Sequence, residues 1–339
     1  MSVRICVEGM RGKSGLVCKL ERVFRNRGLR TLAKATGKEP FILFNGEKIP
    51  IKRKEGKYFF IEEENKRIIE EYGKNVDVII FENQAISKYT MKVFHKVFKP
   101  NIIIIPNVRL EHQEGMGDTI GEIAESFATH FNDARFIINA ELNEPVKRIF
   151  KEYAKKYKCV LINIKHNLSI MSEQIPIINE VLKLFQLEQL SNDEVKEIQE
   201  EIEESKRVKY SEKVGVWYLD ASKVNDVDSA KLFFKNLLEQ TNKPIVIVSY
   251  FRADRIDRTY AFKNVLREWS GNERVIKMYF GGFYYDVIFD ECKKNKSVER
   301  ISIKDIKKII EFAREKNAVL FLSVNGVNKF MIELKKLIE

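Results

Sequence analysis

The 339 residues, 44% of them hydrophobic, suffice for one large core or two moderate ones, and two domains are expected. No apolar run approaches the roughly 20 residues that cross a bilayer, and MSVRICVEGM lacks the apolar stretch and small-residue cleavage site of a secretory signal, so the expected address is the cytoplasm. The formal charge of +11 comes from Lys and Arg interleaved with Glu and Asp along most helical stretches, which reads as solvated helix faces and argues against a nucleic-acid partner.

Val3, Ile5 and Val7 alternate with Arg4 and Cys6, the pattern of a half-buried or edge strand. From Lys13 to Arg25 the period becomes helical, with Leu16, Leu20, Val23 and Phe24 apolar. Between strand and helix lies VEGMRGKSG, Val7 to Gly15. Gly9 and Gly12 let the backbone wrap closely around an anion and turn successive N–H groups inward, at the N-terminus of a helix. Lys13 can then reach bridging and terminal phosphates, and the Ser14 hydroxyl can hold a magnesium ion. The motif is a shortened phosphate loop, G-x-x-G-K-S, with only Met10 and Arg11 between its glycines.

Further strands are expected at Thr31 to Ala35, Val76 to Phe81, Asn101 to Ile105, Arg135 to Ile138 and Val160 to Ile164, with amphipathic segments between most of them. This alternation predicts an α/β fold with a mostly parallel sheet covered on both faces. Phe41 to Phe44, Lys48 to Lys52 and Lys57 to Ile61 read as short antiparallel strands around Asn45-Gly46 and Glu55-Gly56 turns, a small excursion beside that sheet. Open parallel sheets bind ligands beyond the carboxyl ends of their strands. Glu82 directly follows VDVIIF, where a carboxylate could complete a magnesium site with Ser14 or cap the following helix. The next strand leads into RLEHQEGMG, which gathers Arg109, Glu111 and His112; the imidazole is either functional or an idle surface group. His95, His130 and His166 fall in or beside amphipathic segments and read as structural, and Cys6, Cys18, Cys159 and Cys292 form no C-x-x-C pair and read as small core residues.

An acidic helical stretch from Ser191 to Glu204 runs into SKRVKYSEK, where periodicity is lost, and the domain boundary is placed there, giving domains of 1–207 and 208–339. In the second, smaller α/β domain, strands are expected at Val214 to Leu219, Pro244 to Val248, Arg274 to Tyr279 and Ala318 to Ser323. Helices are expected near Ser229 to Glu239, Asp257 to Trp269, Ile303 to Glu315 and Lys329 to Ile338.

The order RGKSG, LAKATGKEP, IIFENQAIS and IPNVRLEHQEGMGDTIGEIAESFA resembles the Mur ligase superfamily, and within it the ligase subunit of capsular poly-gamma-glutamate synthase. The likeness continues through IPIINEVLKLF and LDASKVNDVDSAKLFF and strengthens at YFRADRIDRTYAF. It implies a central ATP-binding domain followed by a Rossmann-like domain. It also implies a reaction in which ATP phosphorylates a carboxylate and an amine displaces the phosphate to form an amide. By position, Gly9, Gly12, Lys13 and Gly15 would cradle the phosphates; Ser14, Glu82 and His112 would hold Mg2+, with Asn107 ahead of the histidine. Asn179 would contact adenine, Asp220 would lie near the ribose and hinge, and Arg252 or Arg255 would reach the transferred phosphate. The same ADRIDR segment also reads as a charged helix start capped by Asp257.

Departures from the family pattern bear on the substrate. Glu111 stands where the superfamily commonly has Asp, and Asn83-Gln84-Ala85 replaces the Cys-Met-Ala of the capsular ligases. No equivalent of the superfamily's lysine carbamate is identified. Eight residues before Gly9 leave no space for the domain that binds nucleotide-linked sugars, which favours an amino acid, a short peptide or poly-gamma-glutamate as substrate. The resemblance leaves room for a membrane-subunit partner, although the chain has no membrane segment of its own. Two other classes fit the phosphate loop: a P-loop phosphotransferase or regulatory NTPase without ligase activity, and a nucleic-acid-associated ATPase.

Overall fold

The computed structural model describes residues 2–37, 39–53, 60–324 and 328–339. They divide into two compact units, 1–198 and 199–339. The first is built on an eight-stranded sheet of order β4-β3-β2-β5-β1-β6-β7-β8. Its strands are β1 (Val3–Val7), β2 (Thr31–Ala35), β3 (Phe41–Phe44), β4 (Glu47–Pro50), β5 (Val78–Glu82), β6 (Ile102–Ile105), β7 (Phe136–Asn139) and β8 (Val160–Asn163). All pair in parallel except β3 and β4, which are antiparallel neighbours.

The helices of this unit are α1 (Lys13–Asn26), α2 (Ile61–Tyr72), α3 (Lys88–Phe98), α4 (Gln113–Met116), α5 (Ile120–Ala128), α6 (Glu144–Tyr157) and α7 (Gln174–Leu184), and α8 (Asn192–Ser205) begins in it and ends in the second unit. Cys6, Ile79, Phe81, Ile103 and Ile105 point to one face of the sheet and pack with Met91, Phe94 and Phe98 of α3 and Ile123 and Phe127 of α5. On α1, Leu16, Leu20 and Phe24 are buried, and Phe24 meets Phe185 at the end of α7 with ring centroids 4.6 Å apart.

Two expectations are corrected. The first strand is central, not half-buried or at an edge: β1 lies between β5 and β6, and Ile5, Cys6 and Val7 have no exposed surface. Its polar alternation misleads because Arg4 reaches the strand's open end, where it donates to the carbonyl of Phe98 at 2.8 Å. Nor is the small antiparallel excursion merely beside the main sheet, because β3 pairs with β2, and β4, paired with β3, forms the sheet's edge. Of the third strand expected there, residues 57–59 and the Glu55-Gly56 turn lie outside the described residues, and Ile61 opens α2.

The second unit holds a six-stranded sheet of order β13-β12-β11-β14-β10-β9. Its strands are β9 (Lys209–Ser211), β10 (Val216–Ala221), β11 (Ile245–Phe251), β12 (Val275–Gly282), β13 (Val298–Ile301) and β14 (Val319–Ser323), parallel except for β9. Its helices are α9 (Val227–Gln240), α10 (Ile256–Ser270), α11 (Asp286–Lys293), α12 (Ile306–Glu315) and α13 (Lys329–Ile338). Apolar runs such as IVIVSYF and VLFLS are buried along their length, as parallel strands covered on both faces require. The short β9 and β13 carry too few apolar residues to announce themselves in sequence, and α11 is too short to set a helical period. Among the described residues, no helix is long and apolar enough to cross a membrane.

Candidate nucleotide and cation site

The loop between β1 and α1 opens at the carboxyl end of the central strand, with β5 and β6 on either side. Gly9 has φ +84°, and a Cβ there would stand 2.6 Å from the carbonyl oxygen of Asn107. Gly12, at φ 78° and ψ −3°, caps α1 with no side-chain hydrogen bond, and the first turn of α1 holds no acidic residue. The helix N-terminus thus presents its amides and positive dipole end toward the loop, which suits an anion. Gly15 lies in the same first turn.

Asn107, just after β6, clasps this loop. Its Oδ1 accepts from the Arg11 amide at 2.9 Å, its Nδ2 donates to the Arg11 carbonyl at 3.1 Å, and its own carbonyl accepts from the Met10 amide at 3.3 Å. Four residues further, Glu111 forms an ion pair with Arg11. His112 follows with φ 55° as the residue before α4, so it sits on a segment fastened to the phosphate loop by its neighbour. Arg109 is engaged elsewhere, donating to Glu141 at 2.9 Å.

Glu82, the last residue of β5, is the centre of the cation side. Its Oε2 accepts from the Ser14 hydroxyl at 2.7 Å and from the Thr36 amide at 2.8 Å, and its Oε1 lies 3.9 Å from Lys13 Nζ. The alternative as a helix cap does not apply, since Ser87 caps α3 in a capping box with Thr90. Lys13 donates to the Gly9 carbonyl at 2.8 Å, folding its ammonium back over the loop. Burial holds this ammonium below its ordinary pKa, with Glu82 acting in the opposite direction. A hydroxyl and a carboxylate meeting beside a lysine and two left-handed glycines fit a hard divalent cation and a phosphate chain.

Glu173 and Gln174 at the start of α7 approach the loop from the other side, with Gln174 Nε2 3.6 Å and Glu173 Oε1 3.7 Å from the place of a Cβ on Gly12. Burial pushes the Glu173 carboxyl up. Neither residue carries a motif, and only the fold brings them here. Asn179, in the middle of α7, accepts from the Leu190 amide at 2.9 Å, so its carbonyl oxygen is committed within the chain.

In the second unit, Asp220 lies near the end of β10. One carboxylate oxygen accepts from Ser222 and the other pairs with Lys335 at 2.6 Å. Arg252 follows β11 and holds Asp254 in a bidentate pair at 2.8 and 2.5 Å. Arg255, not Asp257, occupies the cap position of α10, and Asp257 falls in its first turn.

Comparison with known proteins finds similarity in sequence and in fold. Residues 205–338 match the model of the poly-gamma-glutamate synthase CapB C-terminal domain. The chain is 26% identical over 294 residues to PGA synthase CapB of Bacillus subtilis (strain 168), covering 78% of this chain and 71% of that protein. Its fold is shared with the bifunctional folylpolyglutamate synthase/dihydrofolate synthase of Yersinia pestis solved with AMPPNP and a manganese ion. The TM-score is 0.65 at 14% identity, over 98% of this chain and 88% of that one. It is shared too with the UDP-N-acetylmuramate-alanine ligase MurC of Thermotoga maritima, with a TM-score of 0.57 at 12% identity, over 99% of this chain and 74% of that one.

Proposed function

We propose that this chain, a Mur-ligase-fold relative of poly-gamma-glutamate synthase CapB, is an ATP-dependent ligase that joins a carboxylate to an amine. The observation that supports the reading is the meeting of Ser14 and Glu82 beside the Gly9–Gly12 cradle, an arrangement that would set a cation site against an anion site. Its substrates are an amino acid, a short peptide or poly-gamma-glutamate, in keeping with the relative's name. Bound ATP supplies the phosphoryl group that turns the carboxylate into an acyl phosphate, which the amine opens to an amide as phosphate leaves.

The protein's own part is neutralisation and placement. A carboxylate and a polyphosphate repel one another, so the reaction needs positive charge fixed where they meet. Amides at the start of α1 and the Lys13 ammonium supply it from the loop. Ser14 and Glu82 would hold Mg2+, and His112, on the loop tied to Arg11 through Glu111, is assigned to a second ion. Arg252 or Arg255 is assigned to the transferred phosphate, Asn179 to adenine, and Asp220 to the ribose side.

Phosphate release in the presence of ATP and Mg2+, measured across a panel of amino acids, glutamyl peptides and poly-gamma-glutamate, tests the reading. Release that requires both a carboxylate and an amine, with an amide product of matching mass, is expected. Hydrolysis indifferent to every acceptor would replace the ligase with a phosphotransferase or regulatory NTPase.

A further inference from the structure

Beneath the phosphate loop lies a string of ionisable groups that the ligase reading does not use. Glu8, immediately before Gly9, is 1% exposed. Its Oε1 faces His95 Nε2 at 2.5 Å, accepts from Asn83 Nδ2 at 2.9 Å and has the Cys6 thiol at 3.4 Å, while its Oε2 has no hydrogen-bond partner. His95, on α3 and 2% exposed, places its Nδ1 3.2 Å from Oδ2 of Asp133, in the turn Phe131–Asp133 that precedes β7, at ion-pair distance but without hydrogen-bond geometry. His130 approaches the same oxygen at 3.3 Å and stacks on His95 with ring centroids 4.5 Å apart.

The charges of this string balance only together. A carboxylate with both oxygens out of water needs a cation or a proton. Burial works against ionisation of Glu8, yet His95 and Asn83 hold its carboxyl below the usual value. Burial equally opposes charge on His95, but Glu8 and Asp133 push the imidazole up to about 9. Asn83 extends the string to the cation side. It follows Glu82, its amide donates to the Val7 carbonyl at 2.9 Å, and its side chain reaches Glu8. Glu8 therefore touches both the chain entering the phosphate loop and the chain leaving Glu82.

We propose that Glu8, His95 and Asp133 form a carboxylate–imidazolium–carboxylate strut that positions the phosphate loop against Glu82 and keeps the charge of Glu8 from opposing bound phosphate. These are positioning residues, and the proposal rests on the nucleotide-binding reading of the loop. Without the imidazolium, Glu8 would have to take up a proton or stand as a bare carboxylate one residue before the glycine on which phosphate is to be cradled, in a low-dielectric setting where repulsion is strong. Cys6, Glu8 and His95 also bring one ligand atom each within 4.8 Å of one another, so a metal ion is the competing occupant.

Calorimetric titration of the full chain with Mg·ADP, alongside thermal unfolding, separates these possibilities. His95→Gln should weaken ADP binding on the order of tenfold. Glu8→Gln should weaken it less, and the Glu8→Gln/His95→Gln double variant should recover most of the loss, because the charge to be compensated is gone. Phe94→Leu on the same helix should lower the unfolding midpoint and leave affinity unchanged. A double variant no better than His95→Gln alone, or a His95→Gln variant that is less stable but binds ADP normally, would reduce the strut to ordinary packing. If His95→Gln does not fold, 15N NMR of the wild-type histidines at pH 8 decides: two protonated ring nitrogens on His95 support the strut, and one unprotonated nitrogen overturns it. One equivalent of zinc in the purified protein would overturn it in favour of a metal centre. Failure of the wild type to bind ADP would instead overturn the nucleotide reading, and the strut with it.

Discussion

The hydroxyl of Ser14 donates a 2.7 Å hydrogen bond to Oε2 of Glu82, joining the first turn of α1 to the last residue of β5 across 68 positions of sequence. Two oxygen donors that already touch would act on one ion as a unit. Ser14→Ala and Glu82→Gln should each raise the Mg2+ concentration needed for half-maximal phosphate release, and the double variant should lose less than the sum. A coupling of about 1 kcal/mol or more is expected between residues in one network. Additive losses would place the two residues on different tasks.

Lys13 folds back over the loop to the backbone carbonyl of Gly9, at 2.8 Å. Lys13→Ala should lower turnover on the order of a hundredfold or more, the usual cost of removing a donor aimed at developing charge. His112→Ala should also impair turnover strongly. Circular dichroism of both variants should match the wild type, and full activity in either would remove that residue from the site.

Gly9 cannot be replaced without moving the loop. At φ +84° a side chain costs about 1–2 kcal/mol in backbone strain alone, and its Cβ would lie 2.6 Å from the Asn107 carbonyl oxygen. Gly9→Ala should lower the unfolding midpoint and abolish the further rise that Mg·ADP gives the wild type. Thermal scans with and without ADP check both effects.

The pH dependence of stability should carry the mark of His95. Its folded pKa of about 9 lies above the ordinary 6.5, so its contribution is full below pH 6.5 and is lost as pH rises through 9. Lys34 has the opposite sign: burial against Glu64 leaves it at about 8, below its ordinary value, so its contribution to stability grows as pH rises above 8. Urea midpoints from pH 6 to 10, compared between wild type and His95→Gln, isolate the histidine. The variant should lack the decline toward pH 9, and parallel curves would remove His95 as a stabilising cation. Glu8, Asp133, His130, Cys6 and Asn83 are the groups facing it; all are present in both proteins, and in the variant the Glu8 and Asp133 carboxyls lose the imidazole that helps hold their pKa values down.

Much of the first unit was legible because its signals are local. The run IIII needs burial on both faces wherever it occurs, and G-M-R-G-K-S makes an anion cradle from backbone geometry alone. Glu82 was legible for a related reason: a carboxylate at the tip of an apolar strand projects where parallel sheets bind ligands. The central place of β1 was not legible, since Arg4 and Cys6 imitate the polar half of an edge strand until the neighbours are known. Thr36 was hidden as well, because it serves Glu82 with its backbone amide and any residue type would do so.

By itself, then, the sequence determined the phosphate loop, the α/β alternation and the carboxylate at the end of β5, all of which depend on residues near one another in the chain. Tertiary structure decided what holds those parts in place. Asn107 reaches the loop across 96 residues, and His95 reaches Glu8 across 87. Such partners are chosen by the order of strands in the sheet, and a buried polar group must find its counter-charge wherever that order happens to place one.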